Sequence, residues 1–220
     1  MKTKLIQTVE GRILIFGFFL AFLLLGVFIY YGATDFNTAK ILVSALVAHT
    51  FGGRAAGIGL CILNGYGAFI TIGYNFYLEV LIVCFTYAAF VLSTTQYLNL
   101  PWLNRMMDRI AQKATAQRGK VESYGWIGIF LFVMAPLPVT GPVVGSIIGY
   151  MIHMKLARNL AATLLGTLTA IVVWFYAFEF LEAHFQAIQY IFIGIIALVL
   201  IPYLKQIKRF FKNGKDTPKE

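Results

Sequence analysis

The chain has 220 residues, 60% of them hydrophobic and 12% charged, with a formal net charge of +9 and a mean hydropathy of +0.78. No soluble domain needs that many apolar residues, so the composition excludes a water-soluble globule and reads as one polytopic membrane domain, residues 1–204, with a basic tail, 205–220. The positive charge does not indicate nucleic acid, because the bases flank apolar segments, where they set topology and meet anionic lipid headgroups.

In chain order, residues 13–33 are apolar for longer than a signal-peptide core and are expected to stay as a signal-anchor helix. A short polar turn with Asp35 follows. Residues 39–64 are again apolar but broken by Gly52, Gly53, Arg54 and Gly57, and residues 64–67 are a turn signal. Residues 69–92 are long enough to span and carry Glu79. Residues 101–120 differ in kind: Leu103, Met106, Met107, Ile110 and Ala114 recur at helical spacing, with Arg105, Arg109 and Lys113 assigned to another face, the pattern of an interfacial amphipathic helix. Residues 157–178 are expected to span, 179–184 to turn, and 187–204 to span. Cys61 and Cys84 lie in apolar segments as small buried hydrophobes, and a disulfide is not expected.

Residues 121–154 are long enough for one span, yet Pro136, Pro138, Gly141 and Pro142 interrupt them. Proline removes a backbone donor and clashes with the preceding turn, so this cluster stops a helix. Each flanking half measures about 18 Å as a helix, too short for a hydrocarbon core of roughly 30 Å. The alternatives are a kinked span and a re-entrant hairpin, and charge favours the hairpin. With both broken segments re-entrant and the N-terminus cytoplasmic, sixteen of the 18 Lys and Arg fall on the cytoplasmic side: three before the first span, five in the amphipathic loop, Lys155 and Arg158, and six in the tail. With both segments spanning, the five bases of the amphipathic loop move outside, against the positive-inside rule.

Residues 39–95 and 122–180 then share one order: half-helix, break, half-helix, turn, full span. They enter from opposite sides, which makes them inverted repeats. The expected fold is an all-α polytopic membrane protein with about four spanning helices, two re-entrant helical hairpins in inverted repeat and an interfacial amphipathic helix.

Motifs for catalysis or metal binding are missing, so neither an enzyme nor a metal or cofactor site is expected. What remains is an ionisable pair at membrane depth. Arg54 sits at the first break, where a buried cation needs a partner or a water-filled cavity, and guanidinium suits bidentate phosphate binding. The second half-helices begin beside Gly53 and beside Thr140 and Gly141, and would aim free N–H groups and positive dipole ends at the same point. Gly53, Arg54, Pro138, Thr140 and Gly141 are therefore the candidate anion-binding residues. Glu79 and His49 are the candidate proton-coupling or counter-charge residues. A purely structural Arg54, tied to carbonyls or to Glu79, stays open.

At these residues the stretch FVMAPLPVTGPVVGSIIGYMI, with its P-L-P-x-T-G, resembles the small multi-drug export family, and FGGRAAGIGLCI resembles that family's arginine motif, commonly E-L-R-G-A-I-P-L-G. The family is in turn similar to the DedA (VTT-domain, SNARE-associated) superfamily. The likeness runs over residues 41–174 and implies two re-entrant loops in inverted repeat and a lipid-handling role. Gly52 replaces the motif's Glu, Gly57 and Ile58 replace its Ile-Pro, and Val139 and Thr140 stand where DedA proteins carry an arginine.

The expected function is translocation of a lipid phosphate headgroup, as of a polyprenyl phosphate or phospholipid, with or without proton coupling. The alternatives are an exporter of small hydrophobic cations or drugs and a non-transporting membrane assembly factor. Membrane lipids and anionic headgroups are the expected partners, a homo-oligomer stays open, and no nucleic acid is expected. The expected location is the cytoplasmic (inner) membrane with both termini cytoplasmic.

Overall fold

Helix α1 (Val9–Thr34) opens at Thr8, whose hydroxyl accepts from the Gly11 amide at 3.0 Å. Our computed structural model describes residues 8–95, 101–135 and 141–184, and among them every regular element is a helix. The others are α2 (Phe36–Gly52), α3 (Arg54–Leu63), α4 (Ala68–Thr94), α5 (Pro101–Glu122), α6 (Gly125–Met134), α7 (Gly141–Met151) and α8 (Leu156–Ala183). α1, α4 and α8 are long and apolar enough to cross a membrane. The expected span at 187–204 and the basic tail lie outside the described residues.

Two boundaries around the outer turns differ from the sequence expectation. Asp35 caps α2, its carboxylate accepting from the Asn37 and Thr38 amides at 3.1 and 3.2 Å and from the Thr38 hydroxyl at 2.6 Å. These bonds hold its carboxyl below the ordinary carboxylate range. The cap starts α2 three residues before the expected Ala39 and gives it 17 residues, about 26 Å, rather than a half-helix. The expected turn at 179–184 is helical as far as Ala183, since two glutamates in a last turn do not end a helix when no glycine or proline follows them.

α2 and α3 pack side by side, as do α6 and α7. A Cβ on Gly57 of α3 would sit 2.8 Å from the Cβ of His49 on α2, and one on Gly145 of α7 would sit 2.4 Å from Val133 Cγ2 on α6, so each pair folds back on itself and meets through a glycine. The later helix of each pair ends in the same way. At Gly65 the amides of 65 and 66 bond to the carbonyls of Ile62 and Cys61, and at His153 the amides of 153 and 154 bond to those of Tyr150 and Gly149. Both are Schellman caps with a positive-φ residue at the turn, φ 78° and 54°. Each later helix also presses a glycine onto an asparagine of the following long helix: Gly57 onto Asn75 and Gly149 onto Asn159.

The chain divides into two compact units, Met1–Tyr176 and Ala177–Glu220, and the described part of the second ends at His184. In the first unit the core joins Tyr87 and Phe90 of α4, Met107 of α5, Ile129 of α6 and Ile147 of α7. α1 leans on α4 through Gly17 beside Cys84 and an edge-to-face Phe18–Phe85 pair at 5.1 Å. The Tyr77 hydroxyl donates to the Leu20 carbonyl. The rest of α1 presents Phe16, Phe19, Phe22 and Ile29 outward. An apolar surface of that extent is at home against lipid and not against water. Both cysteines are free thiols.

Candidate functional site

Gly53 makes the turn between α2 and α3 with φ 79° and ψ 178°, a conformation essentially reserved for glycine. It leaves Arg54 as the first residue of α3, where the chain folds back and the side chain points inward. Arg54 is 8% exposed, Glu79 of α4 is 5% and His49 of α2 is 3%. The guanidinium holds three elements together. Its Nε lies 3.6 Å from Glu79 Oε1. Its Nη1 donates to the Val133 carbonyl at 3.2 Å. That carbonyl belongs to the last turn of α6, where carbonyls lack intrahelical partners and the dipole end is negative. Nη2 abuts Gly141, the first residue of α7, since a Cβ there would lie 2.7 Å away. Among the described residues Nη2 has no hydrogen-bond acceptor.

The other side of Glu79 is occupied by His49, whose Nε2 lies 3.6 Å from the same oxygen. His49 Nδ1 lies 2.8 Å from Asn75 Oδ1. The Asn75 amide nitrogen donates to the Thr71 carbonyl at 2.8 Å, and a carbonyl can only accept. The Asn75 oxygen must therefore face His49, which makes Nδ1 the donor.

Gly57 packs over this group. A Cβ there would come within 2.5 Å of Asn75 Oδ1 and 2.9 Å of His49 Nδ1, so glycine is the residue that lets α3 close on the network.

A cavity of about 390 Å³ opens beside the cluster, lined on its polar side by His49, Thr50, Gly53, Arg54, Glu79 and Lys113. Ile82, Met106, Ile110, Val143 and Val144 give it apolar walls. At the volume of liquid water it would hold roughly a dozen molecules, enough to hydrate buried charge and too little for a whole lipid.

Of the sequence-predicted residues, His49, Gly53, Arg54 and Glu79 therefore share one cavity wall, and Gly141 touches Arg54. Pro138 and Thr140 lie outside the described residues. The carbonyl and Glu79 ties that would make Arg54 structural are both present, alongside its exposure to the cavity. Sequence reasoning missed Asn75, the Val133 carbonyl and Lys113. Asn75 is one polar residue in a long apolar helix, and no sequence pattern names a carbonyl. Lys113 was legible, because it follows Met106 by seven residues and Ile110 by three and so shares their side of α5 rather than the opposite one.

A family model described as "Putative small multi-drug export protein" matches residues 54–173, more than half of the chain. The chain belongs to that family. The match begins at Arg54 and takes in Glu79, Lys113, Gly141 and Asn159. No curated protein and no solved structure matches. With three helices of spanning length among the described residues, this small multi-drug export protein is a membrane protein.

Proposed function

We propose that this protein is an inner-membrane transporter, not an enzyme, that carries an amphiphile with an anionic phosphate headgroup across the bilayer through the Arg54 cavity. The observation that carries this reading is a buried guanidinium on the wall of a cavity with both polar and apolar lining, with the N-termini of α3 and α7 beside it. Free N–H groups and positive dipole ends at helix starts attract anions, and Arg54 adds a fork matched to phosphate. Both helix pairs act as re-entrant hairpins in inverted repeat, with α5 lying in the membrane interface and the termini cytoplasmic. The matching glycine-on-asparagine contacts and Schellman caps support the repeat, and the distribution of basic residues supports the topology. The resemblance to DedA proteins points to the same substrate class.

Glu79 supplies a route to proton coupling. It is faced by His49 from α2, Arg54 from α3 and, across the cavity, Lys113 from α5; Asn75 on its own helix orients His49. An anion drawn to Arg54 competes with Glu79 for the guanidinium, which ties the state of the carboxylate to occupation of the cavity. A second reading, export of a small hydrophobic cation, is favoured by the family's description and by the Glu79 carboxylate on the cavity wall.

The test removes both charges together. Arg54→Ala alone would leave Glu79 and the Val133 carbonyl unpaired, and breaking a buried pair costs about 3–5 kcal/mol. The double variant Arg54→Gln/Glu79→Gln avoids an uncompensated charge and is expected to fold. In liposomes with a tail-labelled fluorescent phosphatidic acid, wild type should speed lipid exchange between leaflets and the double variant should not. Equal rates would sink the anion reading. Loss of tetraphenylphosphonium efflux in Glu79→Gln, with efflux retained in Arg54→Lys, would replace it with the cation reading.

A further inference from the structure

We propose that α5 is a wall of the binding site and that Lys113 on it is a second anion-binding residue, with Met106 and Ile110 holding the alkyl chain of the same ligand. This rests on the anionic reading above and deepens it. α5 has the composition of a surface helix, and Arg105, Arg109 and Arg118 on it do not line the cavity. Met106, Ile110 and Lys113 do. They stand four and three residues apart, one stripe of an α-helix.

The stripe is ordered: two apolar residues, then a cation. The same cavity is lined by the buried Arg54, and Ile82, Val143 and Val144 continue the apolar lining. Charge completes the argument. Arg54 already has Glu79 at 3.6 Å, whereas among the described residues Lys113 makes no ion pair with a carboxylate. Lys113 therefore brings to the cavity a positive charge that no described carboxylate pairs with. It is exposed where Arg54 is buried, so the two cations lie at different depths of one cavity. Such a cavity accepts an anionic head at Lys113 first and offers Arg54 deeper in, while an alkyl tail lies on Met106 and Ile110. A compact inorganic anion would use the cations and leave the apolar stripe bare.

The experiment measures binding of dodecyl phosphate and of inorganic phosphate to the full chain in nanodiscs of zwitterionic phosphatidylcholine. Wild type should bind dodecyl phosphate and bind inorganic phosphate far more weakly. Lys113→Gln should weaken dodecyl phosphate binding about tenfold, the loss of one charged hydrogen bond. Lys113→Arg should restore it, and Arg109→Gln, a charge lost from the same helix outside the cavity, should leave it unchanged. Binding by wild type that is untouched in Lys113→Gln overturns this proposal and leaves the anionic reading standing. An equal loss in Arg109→Gln also overturns it, because the effect is then surface charge. Inorganic phosphate binding as tightly as dodecyl phosphate overturns the role of Met106 and Ile110. No binding of either anion by wild type overturns the anionic reading itself.

Discussion

Two glycines of α7 separate function from folding at the scale of single atoms. At Gly141 an added methyl meets the Arg54 Nη2 at 2.7 Å, the far end of a flexible side chain. At Gly149 it meets Asn159, with Oδ1 at 2.1 Å and Cγ at 2.3 Å. Asn159 is fully buried and donates to the Ser146 carbonyl at 2.7 Å, so it has nowhere to retreat. Gly149→Ala should therefore lower stability by about 1–3 kcal/mol, the range for overpacking a filled interior. Gly141→Ala should lose less stability than Gly149→Ala yet lose transport, because the flexible guanidinium can give way, leaving the Val133 carbonyl and its place on the wall. Thermal unfolding in detergent beside lipid exchange in liposomes distinguishes them; a wild-type transport rate for Gly141→Ala would show that the position of Arg54 does not matter. At this scale the sequence was readable where a residue was improbable for its surroundings. An arginine and a glutamate in apolar helices advertise themselves, and His49 does so more weakly. Asn75 and the Val133 carbonyl became visible only when helices distant in sequence were brought side by side.

Helix ends show what local chemistry settles and what it leaves to packing. Gly53 and the glycine-rich turn at 64–67 marked real ends, because glycine alone relieves the backbone there. The start of α2 was missed although Asp35 was in plain view: the apolar run begins at Ala39, but a helix begins at its cap. The end of α7 was passed over for the opposite reason. It uses a Schellman cap with His153 at φ 54° where glycine is usual. A side chain in the left-handed region costs roughly 1–2 kcal/mol, and His153 is exposed, so little packing offsets the strain. His153→Gly should accordingly raise stability by about 1 kcal/mol without altering transport. Equilibrium unfolding of the purified protein checks this. A fall in stability would mean that the imidazole holds the turn through contacts worth more than the strain.

For the whole molecule, length and charge pull in different directions over the first helix pair. α2 has 17 residues, about 26 Å of helix against a core of roughly 30 Å, so length alone brings its end close to the far side. α3 has 10 residues, about 15 Å, and returns only part of the way. If α2 crossed completely, Asn37 and Asn64 would be separated by the membrane, and the bases of α5 would follow to the outside unless α4 failed to cross. α4 has 27 residues, about 40 Å, enough to cross at a tilt from a start below the surface. The arrangement that keeps α5 with the N-terminal and C-terminal bases is therefore a deep, lopsided hairpin, with Asn37 and Asn64 on one side. On that proposed arrangement the Arg54 end of α2 would lie toward the membrane face assigned to α5, in keeping with the one cavity that Lys113, Met106 and Arg54 line. Asn37 and Asn64 are both exposed, Cys61 is buried and Cys84 partly so, so single cysteines can be read against the wild-type background. In intact cells a membrane-impermeant maleimide should label Asn37→Cys and Asn64→Cys without permeabilisation, and Arg109→Cys only after it. Labelling of Asn37→Cys and Asn64→Cys from opposite sides would make α2 and α3 a crossing unit. The inverted repeat would then fall, and the cavity would have to be reached by another path.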